Sequence, residues 1–240
     1  MDDYIVDEMQ SEHFPGTATV IVKNGEIVWL QAYGFADIEN SIPVSDSTQF
    51  LLASMSKLFT GTATMQLKEN GMLELDNDIN QHLPWPLQHP IESTTPMTIQ
   101  QLMTHTSSIK DNWGAMGNYY GYPDPTMSLE ECMQDYFTLT GGNYDANQNF
   151  ISASPGTAYS YSNMATALNG YITEVVSGTP FDDFCDAHIF EPLCMEKTAW
   201  HMADLDSNEV ARPYSYSNGN FVANPHYGFA DYPDGQLRSS

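Results

Sequence analysis

The order of its elements predicts an α+β fold for this chain. One β-hairpin near the N-terminus is followed by a series of capped helices and then by a tail of little periodicity. Residues 17–23 (TATVIVK) and 26–33 (EIVWLQAY) are β-rich runs joined by Asn24-Gly25, a dipeptide suited to a two-residue hairpin turn. From Ser54 onward, apolar residues recur at helical spacing between recognisable start and stop residues. Two strands do not make a stable sheet alone, so sheet partners are expected either to be missing or to come from elsewhere.

Each element has a local cause. Residues 2–12 predict a short amphipathic helix, ended by Pro15-Gly16. Leu58 to Asn70 predicts a helix with Gly71 as its stop. Thr98 is placed to cap IQQLMTH, and Ser128 with Glu131 forms a capping box before CMQDYF. Asn163 to Val176 predicts a helix ending at Ser177-Gly178. Thr179-Pro180 then offers a cap and a first-turn proline for FDDFCDAHIF. Segments 83–97 and 109–127, rich in Pro, Gly and aromatics, read as ordered loops, and the chain from 205 onward reads as irregular.

Bulk properties narrow the function. A length of 240 residues suffices for a real core in one domain or two lobes, and 41% hydrophobic with 12% aromatic residues is globular composition. With 7 Lys+Arg against 31 Asp+Glu, the formal charge of −24 argues against nucleic acid and anionic membranes as partners. The carboxylates read as a solvated acidic surface. No EF-hand spacing occurs, since Asp76-Asn77-Asp78 lacks the following glycine and distal glutamate. Cys132, Cys185 and Cys194 form no CxxC and read as buried free thiols. His82, His89, His188, His201 and His226 show no ligand spacing, so neither metal nor cofactor is expected. No apolar run approaches the ~20 residues that span a bilayer. The N-terminus, MDDYIVDEMQ, lacks the pattern of a signal peptide.

Against that acidic background, Lys57 stands in the apolar run FLLASMSKLFTGTATM, three residues after Ser54. On a helix the two share a face. An amine in apolar surroundings is expected to lose hydration and accept the serine proton, which activates a nucleophile. Ser107 and Lys110 repeat the spacing, but in the polar run THTSSIKDN, where Lys110 is expected to be solvated. The pentapeptide YSYSN also occurs twice, at 159–163 and 214–218. The copy at 159–163 runs into a helix, so Tyr161 and Asn163 can point into one cleft; the copy at 214–218 reads as a turn. A phenol beside a cationic amine can serve as base, and an amide can hold a substrate carbonyl or N–H. Ser162 or Asn163 can equally be an N-cap.

Longer segments carry a family resemblance. In order they are FPGTATVIVKNGEIVW, YGFADIENSIPV, FLLASMSKLFTGTATMQLKENGMLELDNDI, TIQQLMTHTSSI, PGTAYSYSN, IFEPLCMEKT and YPDGQLRSS. Together they resemble the serine β-lactamase and penicillin-binding superfamily, in its class C, D-Ala-D-Ala carboxypeptidase and family VIII esterase branch. The resemblance implies a β-lactamase/transpeptidase-like α+β fold, an antiparallel sheet packed with helices beside a mainly helical lobe. It implies that Ser54 is the acylated nucleophile, Lys57 its partner, Tyr161 the general base and Asn163 a substrate-binding amide. Substrates would be small molecules or peptides with an amide, ester or β-lactam carbonyl. Family members commonly work outside the cytoplasm, in a periplasmic or extracellular setting.

Departures from the family pattern add expectations. Ser108 and Cys194 stand where glycine is usual, at positions that need positive φ. A third motif, K-T-G or H-x-G, normally follows the YPDGQLRSS segment on a strand that also supplies an oxyanion-hole donor. Lys197-Thr198-Ala199 and His226-Tyr227-Gly228 both precede that segment, so neither fits. The expectation is one incomplete domain over 1–240, truncated at its C-terminus, whose sheet is represented only by its N-terminal strands. Residues 1–50 would supply helix and hairpin, 51–204 the helical lobe and 205–240 a return segment. The rival expectation is a non-catalytic penicillin-binding-like or scaffold protein on the same fold. His105 is expected to be satisfied by local backbone. Trp113, Tyr119, Tyr120 and Tyr122 either line the cleft or pack the loops.

Overall fold

Helix α1 (Asp2–Glu12) leads into strands β1 (Gly16–Lys23) and β2 (Glu26–Asp37), which pair antiparallel with Val20 opposite Leu30. The turn residues Asn24 and Gly25 both take positive φ, 54° and 80°, the backbone a hairpin turn of this length requires. Strand β3 (Ile42–Pro43) adds to β2, giving the three-stranded order β1-β2-β3. This sheet buries little: Val20, Val22, Ile27 and Val28 all remain more than half exposed. The computed structural model describes all 240 residues.

The remaining elements build a helical body. Strand β4 (Phe50–Leu51) precedes a single 3-10 turn, Ala53–Met55, and then helix α2 (Ser56–Glu69). Helices α3 (Ile99–Met103), α4 (Trp113–Met116), strand β5 (Tyr120–Gly121) and helix α5 (Leu129–Phe137) follow. Thr98 and Ser128 both make full capping boxes, with Gln101 and Glu131. Helix α6 (Asn163–Ser177) is capped by Ser162 and stopped by Gly178 in left-handed conformation. It is the central helix, burying ten consecutive residues from Met164 to Thr173 and packing on α2, α3 and α5. Thirty-four buried residues form the core around it.

Helix α7 (Phe181–Cys185) starts differently from the expectation. Pro180 itself occupies the cap position without a side-chain bond, and Thr179 does not cap. Instead Glu174 reaches across from α6 to accept the Phe181 N–H at 3.1 Å. The helix continues as a π-turn through Phe190.

The tail is not irregular. Strands β6 (Tyr214–Ser217) and β7 (Asn220–Ala223) form a second hairpin around Asn218-Gly219, again with φ of 50° and 81°. The YSYSN copy at 214–218 is thus strand and turn together. Its turn carries the same Asn-Gly signal as the first hairpin, but four-residue strands are too short to show a period of two. Strands β8 (Gly228–Phe229) and β9 (Arg238–Ser239) return the chain to β5 and β4. Likewise 109–127 is not all loop, since α4 and β5 lie within it. Of the cysteines, Cys132 and Cys185 are buried, whereas Cys194 is exposed, contrary to expectation. Ser108 and Cys194 do hold positive φ, 69° and 56°. No helix is long and apolar enough to cross a membrane.

A polar knot around His201 ties α7 to the loop that carries Asp124. His201 lies between Asp182 (Nε2 to Oδ2, 3.5 Å) and Asp124 (Nδ1 to Oδ1, 3.9 Å). Burial alone would lower the His201 pKa, but the hydrogen bond and charge of Asp182, with Asp124 and Asp204, raise it overall. A raised folded pKa stabilises the protein fully below the unfolded value of about 6.5 and ceases to do so as pH climbs through the folded value. Thermal unfolding of His201→Gln against wild type from mildly acidic to mildly alkaline pH should therefore show the largest loss at the acidic end, the gap closing as pH rises.

Candidate active site

The 3-10 turn that carries Ser54 places it just ahead of α2, so the serine precedes the helix that holds Lys57. Ala53, immediately before it, sits at φ 48°, a left-handed backbone that costs an alanine roughly 1–2 kcal/mol. Ser54 Oγ receives hydrogen bonds from Tyr161 Oη at 2.9 Å and Lys57 Nζ at 3.3 Å. Lys57 Nζ also donates to Asn163 Oδ1 at 2.7 Å and to the Asp234 carbonyl at 2.6 Å. Three oxygens thus take the three donors an ammonium offers. The immediate surroundings of Lys57 are polar, which corrects the expectation of an apolar pocket. The same nitrogen stands 5.1 Å from the Tyr161 ring centroid.

All four residues singled out in the sequence, Ser54, Lys57, Tyr161 and Asn163, converge on this cluster. Their duplicates do not. Lys110 reaches the Asn147 carbonyl at 3.4 Å, and Ser107 bonds the Ile109 N–H. Tyr214 bonds Glu39 and the Ile38 N–H, while Tyr216 stacks on His13. Lys197 is paired with Glu209 at 2.7 Å. His226 lines a separate cavity beside Arg212 and Arg238.

Three further supports hold the cluster. Asp111 accepts from Ser162 Oγ (2.9 Å), the Asn163 N–H (3.1 Å) and the Met164 N–H (3.2 Å). It therefore clamps the start of α6, where exposed N–H groups favour an anion. The segment 231–237 is seated by Thr60 Oγ1 on the Pro233 carbonyl (2.6 Å) and by the Leu237 N–H on Ser56 Oγ (3.1 Å). Gly170 permits that seating, because a Cβ there would lie 2.5 Å from Pro233 Cβ. His105 is satisfied by backbone, as expected, but not by local backbone: its carbonyl accepts the Ser160 N–H and its Nδ1 the Ser162 N–H at 3.3 Å, both on the segment that carries Tyr161. Burial, followed by the Lys57 charge, lowers its pKa. Its ring lies 4.3 Å from that of Tyr161. No three His, Cys, Asp or Glu side chains gather in a metal-ligating arrangement.

The beta-lactamase family model matches residues 1–240 in full. The chain belongs to the beta-lactamase family. It is 26% identical over 241 residues to Protein flp of Staphylococcus aureus, covering all of this chain and 46% of that protein. The octameric penicillin-binding protein homologue from Pyrococcus abyssi superposes with a TM-score of 0.76 at 27% identity, covering 100% of this chain and 52% of that one. EstCE1, a hydrolase with promiscuous acyltransferase activity, shares the fold with a TM-score of 0.81 at 19% identity, over 100% of this chain and 68% of its own. The chain thus spans about half the length of the curated relatives it matches. These findings agree with the α+β, β-lactamase/transpeptidase-like expectation.

Two outcomes test how the site is held. Ala53→Gly should raise stability by about 1 kcal/mol in urea unfolding, because glycine adopts the left-handed backbone without strain. Asp111→Ala should lower it by ~1–3 kcal/mol, since the buried donors at the start of α6 lose their acceptor.

Proposed function

We propose that this chain carries the acyl-enzyme centre of a serine hydrolase, with Ser54 as nucleophile. One observation carries the reading: Ser54 Oγ lies within hydrogen-bond distance of both the Tyr161 hydroxyl and the Lys57 amine. A serine oxygen is a weak nucleophile until a neighbouring base takes its proton. Tyr161 is the proposed base: it would accept as the phenolate, its own hydroxyl proton having passed to solvent, from a position 2.9 Å from Ser54 Oγ. Ser54 Oγ would attack an amide, ester or lactam carbonyl, its proton passing to Tyr161. Collapse of the tetrahedral adduct would break the bond to the leaving group, which takes that proton from Tyr161. Water, activated in the same way, would then cleave the Ser54 ester. Asn163 holds Lys57 in place at 2.7 Å and presents an amide to the substrate.

The Ser54 backbone N–H is the proposed first donor to the oxyanion. The family pattern places the second on a strand that follows the YPDGQLRSS segment. Losing one such donor costs ~10²–10³ in rate. The penicillin-binding protein homologue supports an alternative reading, in which Ser54 acylates and releases product slowly.

Intact mass and peptide mapping after treatment with a fluorophosphonate should place one adduct on Ser54, absent in Ser54→Ala and formed ~10²–10⁴-fold more slowly in Tyr161→Phe. An adduct elsewhere, or one that survives Ser54→Ala, overturns the assignment. Penicillin, applied in the same way, separates the two readings. A persistent penicilloyl adduct marks the slow acylator, and a transient one marks the hydrolase.

A further inference from the structure

The proposed base, Tyr161, is gripped on both sides by one residue from a distant segment. His105 lies in the turn after α3, with a left-handed backbone at φ 56°. Its carbonyl accepts the Ser160 N–H at 2.8 Å, and its Nδ1 accepts the Ser162 N–H at 3.3 Å. The two bonds hold the chain immediately before and immediately after Tyr161. The His105 ring itself lies 4.3 Å from the Tyr161 ring and 6.1 Å from that of Tyr159. Tyr161 is 44% exposed, so core packing does not fix its phenol, whose hydroxyl must still reach Ser54 Oγ at 2.9 Å.

The Nδ1 bond fixes the state of the ring. A nitrogen that accepts an N–H carries no proton, so the ring is neutral, with its hydrogen on Nε2. Protonation would set a second donor against the Ser162 N–H. Ser162 has no exposed surface, so that N–H would lose its acceptor without gaining water. The charged groups that act on the ring are Lys57 from α2 and Asp111 from the loop before α4, and the phenols beside it are Tyr159 and Tyr161. Burial, then the Lys57 charge, lowers the His105 pKa, while Asp111 opposes them. The neutral ring therefore persists to below the ordinary value of about 6.5, and the grip opens only in acid.

We propose that His105 is the positioning residue for the base: as a neutral ring it holds Tyr161 against Ser54 through the Ser162 N–H and the ring contact, and on protonation it lets go. His105 acts through Tyr161 and moves no proton of the reaction itself. A displacement of about 1 Å at a reacting group costs ~10² in rate, which sets the scale of the effect. The inference deepens the acyl-enzyme reading and rests on it for the step that Tyr161 serves, whereas the protonation of the ring is readable without any reaction.

Two variants separate the side chain from the backbone it sits on. Glycine takes the left-handed conformation freely and asparagine takes it more readily than other side chains, so both keep the turn. His105→Gly removes ring and acceptor and should slow fluorophosphonate labelling of Ser54 by ~10–10²-fold. His105→Asn returns an acceptor that does not titrate and should regain part of that loss. The ratio of the wild-type rate to the His105→Asn rate should hold steady above pH ~6.5 and fall below it, because the ratio removes whatever titrates in both proteins. Long-range proton–nitrogen NMR of the resting protein near neutral pH should show a bare Nδ1 and a protonated Nε2 on His105. Labelling of His105→Gly at the wild-type rate, no gain from asparagine, a ratio that stays flat into acid, or a proton on Nδ1 overturns the inference. A wild-type Ser54 that takes no label at any pH overturns the acyl-enzyme reading, and the positioning role with it, which is a result distinct from each of these.

Discussion

The Lys57 ammonium holds together parts of the chain that share no local structure. Its three donors reach Ser54 on the turn before α2, Asn163 at the start of α6 and the Asp234 carbonyl on the return segment. Lys57 is half-buried, and each acceptor satisfies one of its N–H groups where water has only partial access. The arrangement makes one cation the common constraint on two helices and a loop. The Tyr161 bond to Ser54 lies at the same meeting point.

Packing supplies the rigidity the constraint requires. Helix α6 is buried along ten residues, which fixes its axis, and Asp111 fixes its first turn. Gly170 removes the one side chain that would keep Pro233 off that helix. Phe181, Trp200 and Tyr232 then close the far side, with ring centroids 5.2–5.8 Å apart. Ala53 completes the frame with a strained backbone. Such strain persists only where the surroundings over-determine it, and here it lies directly before the candidate nucleophile. The sheet is held far less well: its hairpin leaves valines and isoleucines open on the surface.

Much of the fold is legible in the sequence because its causes are local. The Asn24-Gly25 turn, the Ser128–Glu131 capping box and the Gly178 stop each act within a few residues, and each appears where the residues place it. Thr179 fails as a cap because Glu174, seven residues before Phe181, competes for the same N–H from the neighbouring helix. The hairpin at Asn218-Gly219 escapes a reading by periodicity although its turn signal is present, since short strands hide their alternation. In the candidate site, the pairing of Ser54 with Lys57 follows from spacing, and that of Tyr161 with Asn163 from a motif at a helix entrance.

By itself the sequence determined the local elements, the family resemblance and the four residues that meet at the cluster. Only the tertiary structure decided what surrounds them. The polar setting of Lys57 and the Asp111 clamp join residues separated by 51 to 177 positions in several of their contacts. No periodicity or spacing records a contact of that range. The apolar run around Lys57 described its neighbours in the chain, while its hydrogen-bond partners are set by its neighbours in space.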